Sequence, residues 1–193
     1  DDVASVIANA VIDGQPIGEM EALGYYVIVA TAGHDTTSAS TAGGLLALMQ
    51  NPEQMNKLRN DLSLLPHAIE EMFRWETPVK HFLRTATEDY TLRGRSIKEG
   101  DRLMMMYASG NRDEEVFNNP FEFQVDRRPN KQIAFGYGVH RCLGHLLAKM
   151  EMSAFYKALL ERTTDIQLNG DPAWIHATFV SGLKRLPVRF IAR

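Results

Sequence analysis

Cysteine is almost missing from this chain. Cys142 is the only one in 193 residues, which excludes an internal disulfide framework and fits a reducing compartment. Long hydrophobic runs are missing too: the apolar stretch Ala22 to Gly33 falls well short of the ~20 residues a bilayer span needs, so it is assigned to a protein core. Neither sign of charge dominates. A formal net charge of -3 with pI near 6.1 gives no electrostatic reason to expect a nucleic-acid partner. The first residues lack both an initiator methionine and a basic segment leading into an apolar one, so no signal peptide is visible and the chain is expected to begin inside a longer protein. Internal repeats, low-complexity tracts and linkers are also absent, and 45% hydrophobic with 23% charged residues describes one globular unit.

What is present centres on Phe135-Gly136-Tyr137-Gly138-Val139-His140-Arg141-Cys142-Leu143-Gly144. Glycine is least costly where the backbone takes positive φ or approaches another group closely, so Gly136, Gly138 and Gly144 predict a tight loop presenting Cys142. Leu143, Leu146, Leu147, Met150, Ala154, Ala158 and Leu159 recur at helical steps, which predicts a helix starting at the cysteine. A sulfur at a helix N-terminus is favoured as thiolate, a nucleophile or a metal ligand. A lone cysteine without such a setting is more often an inert core residue.

Between Glu19 and Gln50 no proline occurs, and Asn51-Pro52 closes the run, predicting one helix of roughly 48 Å. Its first half is apolar all round, as in a buried helix. Asp35 and Thr36 then fall in what is predicted to be its most buried part, where a carboxylate must be hydrogen-bonded or used. One reading is a local hydrogen bond to the helix backbone. The other is a proton relay. Further on, a helix over His67 to Trp75 places Glu71 and Arg74 on one face. Tyr90 to Leu92, Gly94 to Ile97 and Asp101 to Tyr107 read as short strands, with more near the C-terminus around Ile166 to Leu168, Thr178 to Leu183 and Leu186 to Phe190. Met104-Met105-Met106 is read as adaptable packing.

The order F-G-x-G-x-H-x-C-x-G followed by L-A-x-x-E resembles the haem-binding loop of the cytochrome P-450 superfamily, the haem-thiolate monooxygenases. Ala32-Gly33-His34-Asp35-Thr36-Thr37 resembles its A-G-x-D-T-T oxygen-activation motif, Glu71 and Arg74 its E-x-x-R pair, and Phe123 to Asn130 the segment whose arginine, here Arg127, completes that pair. The familiar acid after Phe123 is replaced by Gln124. The resemblance covers almost the whole chain but only the C-terminal half of the family. It implies a mainly α fold with a small β region, in which residues 1-193 form a single partial domain without the N-terminal half.

The resemblance further implies haem b, with Cys142 as iron ligand and Arg84, His140, Phe135, Gly136 and Gly144 as cofactor-binding residues. Asp35 and Thr36 take the catalytic role, Glu71, Arg74 and Arg127 a structural one, and Ala32, Gly33, Val79, Phe82 and Phe179 face substrate. The bond attacked would be a C–H bond of an apolar molecule, terpenoid, steroid or fatty-acid-like, using O₂ and electrons from a separate ferredoxin and its reductase. A cytoplasmic protein is implied, with association through the apolar face left by the missing half. Three other readings remain: an inactive or haem-poor fragment, a zinc module through His140, Cys142 and His145, and a cysteine hydrolase. A c-type haem is excluded because C-x-x-C-H does not occur.

Overall fold

The computed structural model describes residues 2–193. Helix α1 (Val3–Ala8) is capped by the Asp2 carboxylate, which accepts from the Ser5 amide at 2.8 Å. A small hairpin follows, β1 (Val11–Ile12) with β2 (Gln15–Pro16). Two consecutive helices, α2 (Glu19–Ala32) and α3 (His34–Gln50), occupy the run predicted as one helix. The interruption is at Gly33. Glycine is a weak helix former, and just beyond it the Thr36 hydroxyl donates to the Ala32 carbonyl at 2.8 Å, the local side-chain bonding that bends helices.

The core forms where α3 meets α4 (Pro52–Asn60), α5 (Leu65–Glu76) and α7 (His145–Arg162). Leu65, Ala68, Ile69, Met72 and Phe73 line the buried face of α5, and Leu48, Leu58, Met152, Tyr156 and Leu160 close on it. Close approach depends on Gly44. A β-carbon there would lie 2.7 Å from Met72 Cγ and 2.8 Å from the Tyr156 hydroxyl oxygen. That hydroxyl, fully buried, donates to the Thr41 carbonyl at 2.6 Å and so joins α7 to α3.

The β structure consists of antiparallel pairs. Strand β3 (His81–Thr85) pairs with β6 (Arg102–Met106), placing Phe82 opposite Met105 and Arg84 opposite Leu103. Strand β4 (Tyr90–Leu92) pairs with β5 (Arg95–Ile97), and the short helix α6 (Tyr107–Gly110) follows β6. Near the C-terminus β7 (Thr163–Leu168) pairs with β10 (Val188–Ala192), and β8 (Ala173–Trp174) with β9 (Leu183–Arg185).

Two expectations are corrected here. No residue of α2 is buried, so its apolar side chains, among them Met20, Leu23, Val27 and Ile28, face outward instead of forming a core. The physical reason is geometric: among the described residues α2 packs mainly against α1 and α3, its neighbours in sequence, and not into the α4–α5–α7 cluster. The second correction concerns α7, which starts at His145 and not at Cys142. The Cys142 amide is committed to the Phe135 carbonyl at 2.8 Å, a bond that holds the cysteine in the loop. Among the described residues no helix is long and apolar enough to cross a membrane.

Candidate functional site

The Cys142 loop is built from two constraints. Gly136 and Gly138 have φ of 71° and 67°, the left-handed region, and a single 3₁₀ turn (Gly138–His140) fills the space between them and the cysteine. The loop then closes on itself through Gly136 N–H to the Ile133 carbonyl at 2.9 Å and Arg141 N–H to the Gly138 carbonyl at 3.1 Å. Gly144 differs from the prediction. Its φ is -83° and nothing of the chain lies within 4 Å of where a β-carbon would stand, so no contact within this chain requires glycine there. Beyond it, His145 Nδ1 donates to the Cys142 carbonyl at 2.9 Å.

The Cys142 thiol is free and exposed, and the hydrophobic residues around it are bare: Val139 is 97% and Leu143 95% exposed. Apolar side chains presented in this way mark a surface made to be covered. The loop itself rests on the core through Phe135, whose ring lies 4.4 Å from that of Phe73 and 5.9 Å from that of His145.

The segment that leads toward the loop is held by a buried ion network. Arg74 makes a two-pronged contact with Glu71, Nε to Oε2 and Nη2 to Oε1, each at 2.7 Å, and Arg127 Nε reaches Glu71 Oε2 at 3.0 Å. The backbone amide of Gln124 and the Asn130 side chain donate to the same carboxylate at 3.0 and 3.1 Å. Carbonyls take further guanidinium hydrogens: Arg74 is met by Asn111, Pro120 and Glu122, Arg127 by Asn118, Asn119 and Glu122. Buried charge is tolerated only when its hydrogen-bonding capacity is met in this way. The change to Gln124 leaves this intact, because the contact to Glu71 is made by its backbone.

The sequence pattern did not reveal Asn111. Its side chain is fully buried, donating to Thr77 Oγ1 at 2.8 Å and accepting from the Ile133 amide at 2.8 Å, so it ties the end of α5 to the segment entering the Cys142 loop. Glu76 was also passed over. It is buried against α3, where a β-carbon on Gly43 would lie 2.1 Å from its Oε2. Burial raises its pKa, with Lys80 and Arg112 pulling the other way.

The Asp35 region differs from its prediction. Asp35 and His34 are exposed, at 70% and 81% of their side chains, and share a hydrogen bond between Oδ1 and Nδ1 at 3.0 Å. His34, given no role in the sequence, is therefore Asp35's partner. Thr36 is half-buried and bonded to the Ala32 carbonyl, and the space beside Gly33 is open.

Val79, Phe82 and Phe179 are brought together. Val79 bridges to Val180, the Lys80 amide donates to the Phe179 carbonyl at 2.9 Å, and the Phe82 and Phe179 rings stand edge-to-face at 5.3 Å. Arg84 bonds only the Leu83 carbonyl, at 2.8 Å, and among the described residues neither Arg84 nor His140 forms an ion pair. No three acid, histidine or cysteine side chains among the described residues converge to hold a metal ion.

A family model described as Cytochrome P450 matches residues 13–172. Cytochrome P450-terp of Pseudomonas sp is 48% identical over 190 residues, covering 98% of this chain and 44% of that protein. The steroid C26-monooxygenase of Mycolicibacterium smegmatis is 39% identical over 192 residues, covering 98% and 48%. The crystal structure of CYP108D1 from Novosphingobium aromaticivorans superposes with a TM-score of 0.94 at 47% identity, over 100% of this chain and 47% of that one. The chain thus spans about half the length of the relatives it matches. Family model, sequence relatives and superposed fold agree: the chain belongs to the cytochrome P450 family, whose cofactor is haem b.

Proposed function

We propose that this chain is the C-terminal, cofactor-holding half of a haem-thiolate monooxygenase that inserts one atom of O₂ into a C–H bond of an apolar small molecule. The observation that carries the reading is the single cysteine, free and exposed on a loop that follows a segment held by a buried Glu–Arg–Arg network. The residues present fit the cofactor. Cys142 offers the sulfur, Phe135, Gly136 and Gly144 form the loop around it, and Arg84 and His140 are exposed basic groups without acid partners among the described residues, suited to two propionates. When bound, haem supplies the oxygen chemistry, with the thiolate donating electron density to the iron.

The chain's own residues position and protonate. Asp35, exposed, exchanges protons with solvent at its carboxylate, and the Thr36 hydroxyl is the next donor along α3. Open space beside Gly33, next to the exposed Ala32, admits a small ligand. Val79, Phe82 and Phe179 present an apolar surface to substrate, and the relatives' names, P450-terp, steroid C26-monooxygenase and methyl-branched lipid omega-hydroxylase, suggest a terpenoid, steroid or lipid class. Electrons would arrive from a separate ferredoxin and ferredoxin reductase. The proposed compartment is the cytoplasm, where a lone cysteine stays reduced. Titrating haem into the chain tests the reading: one equivalent should bind, with uptake weakened at least tenfold in Cys142→Ala, and equal uptake by that variant would refute it.

A second reading is favoured by α2, whose apolar side chains are uncovered. By it, the isolated chain holds haem poorly and associates through that face. Sedimentation separates the two: a haem-free associated chain supports the second, a haem-loaded monomer the first.

A further inference from the structure

Between the buried network and Cys142 lies a second polar cluster that none of the motifs includes. Residues 126–137 contain no helix or strand, so side chains must fix the path of the chain into the Cys142 loop. Lys149 of α7 donates from Nζ to Glu70 Oε1 of α5, with side chains only 24% and 27% exposed. The other oxygen of that carboxylate accepts from Gln132 Nε2 at 2.9 Å, and Gln132 Oε1 accepts from the Ala134 amide at 2.7 Å. The Lys149 ammonium also stands 5.4 Å from the centre of the Phe135 ring. Phe135 in turn supplies the carbonyl that the Cys142 amide donates to.

We propose that Glu70, Lys149 and Gln132 are positioning residues: the ion pair across α5 and α7 holds Ala134 and Phe135, and through the Phe135 carbonyl fixes where Cys142 points. The network around Glu71 anchors the segment 111–130. This cluster holds the start of the loop at Ala134 and Phe135, and it uses each group twice. Lys149 serves a carboxylate and a ring, Glu70 serves Lys149 and Gln132, and Gln132 serves Glu70 and the backbone. The consequence for ligation rests on the reading of Cys142 as the haem ligand, whereas the consequence for the loop does not.

Amide hydrogen exchange on this chain tests the positioning directly, using Glu70→Gln, Lys149→Met and Lys149→Arg. Both neutralising variants should exchange the Cys142 amide about tenfold faster while α3 core amides keep their protection, because only local opening is eased. Lys149→Arg, which keeps the charge and the contact with the ring, should stay within about twofold of the parent. Lys149→Met leaves the bond from Gln132 to Glu70 in place, so it decides the matter even where Glu70→Gln does not fold. Unchanged Cys142 exchange in Lys149→Met, or equal loss in Lys149→Arg, overturns the proposal. A second readout is the ferrous–CO spectrum with haem, in which the neutralising variants should lose part of the thiolate-type band. If the parent binds haem and shows no such band, the ligand assignment falls, and the exchange rates still decide the clamp.

Discussion

The amide of Cys142 donates to the carbonyl of Phe135 at 2.8 Å, across six intervening residues that include two glycines at positive φ. That bond holds the cysteine in the loop and out of α7, and its side chain is exposed. It makes the loop's shape depend on Gly136. Replacing Gly136 by Ala would force a side chain into the left-handed region and set it 3.4 Å from the His140 carbonyl. We expect a loss of about 1–2 kcal/mol, concentrated in the loop, with weaker haem uptake. Thermal melting and haem titration of Gly136→Ala check this.

Removing one member of the buried network has a larger effect. In Arg74→Met the Glu71 carboxylate keeps Arg127 but loses two 2.7 Å bonds at a buried position. The expected loss is about 3–5 kcal/mol, read by denaturant unfolding. A variant as stable as the parent would contradict the network's role.

At Gly44 the prediction is steric. Alanine there would meet Met72 Cγ at 2.7 Å and the Tyr156 hydroxyl at 2.8 Å. Overpacking of this kind costs about 1–3 kcal/mol. Gly33→Ala, with nothing of the chain within 4 Å, should leave the chain's stability unchanged or slightly raised. Comparing the two melting temperatures separates packing from backbone propensity.

Glu76 gives a pH dependence. Burial raises its pKa above the ordinary 4.5, against the opposing pull of Lys80 and Arg112. Folding therefore favours the protonated acid: its contribution is full below pH 4.5 and is lost as pH rises through the raised folded value. Glu76→Gln should remove that decline, so the stability difference between variant and parent grows across this window. Urea unfolding from pH 4 to 7 measures it, and parallel curves would contradict the assignment.

Much of this architecture was legible because it is local. The amphipathic spacing of Ile69, Met72 and Phe73, the proline at the start of α4 and the glycines around Cys142 each reflect a preference acting within a few residues. Glu71, Arg74 and Arg127 were found through the family pattern and meet in space as expected. The start of α7 was misplaced because Leu143 fits a helical face, whereas the Cys142 amide has a partner seven residues earlier that periodicity cannot reveal. Burial of α2 was misjudged for a related reason: an apolar helix shows that it needs cover, not where the cover comes from. Asn111, Glu70 and Lys149 left no signal, since their partners lie 22, 62 and 79 residues away in sequence.

The central claim is that Cys142 is the ligand of a haem iron. The most direct measurement is the absorption spectrum of the chain loaded with haem, reduced and exposed to CO. The account predicts a strongly red-shifted Soret band that disappears in Cys142→Ala and survives in Cys142 parents carrying Asp35→Asn. Haem bound with no thiolate-type band, or a band that persists without Cys142, would contradict it.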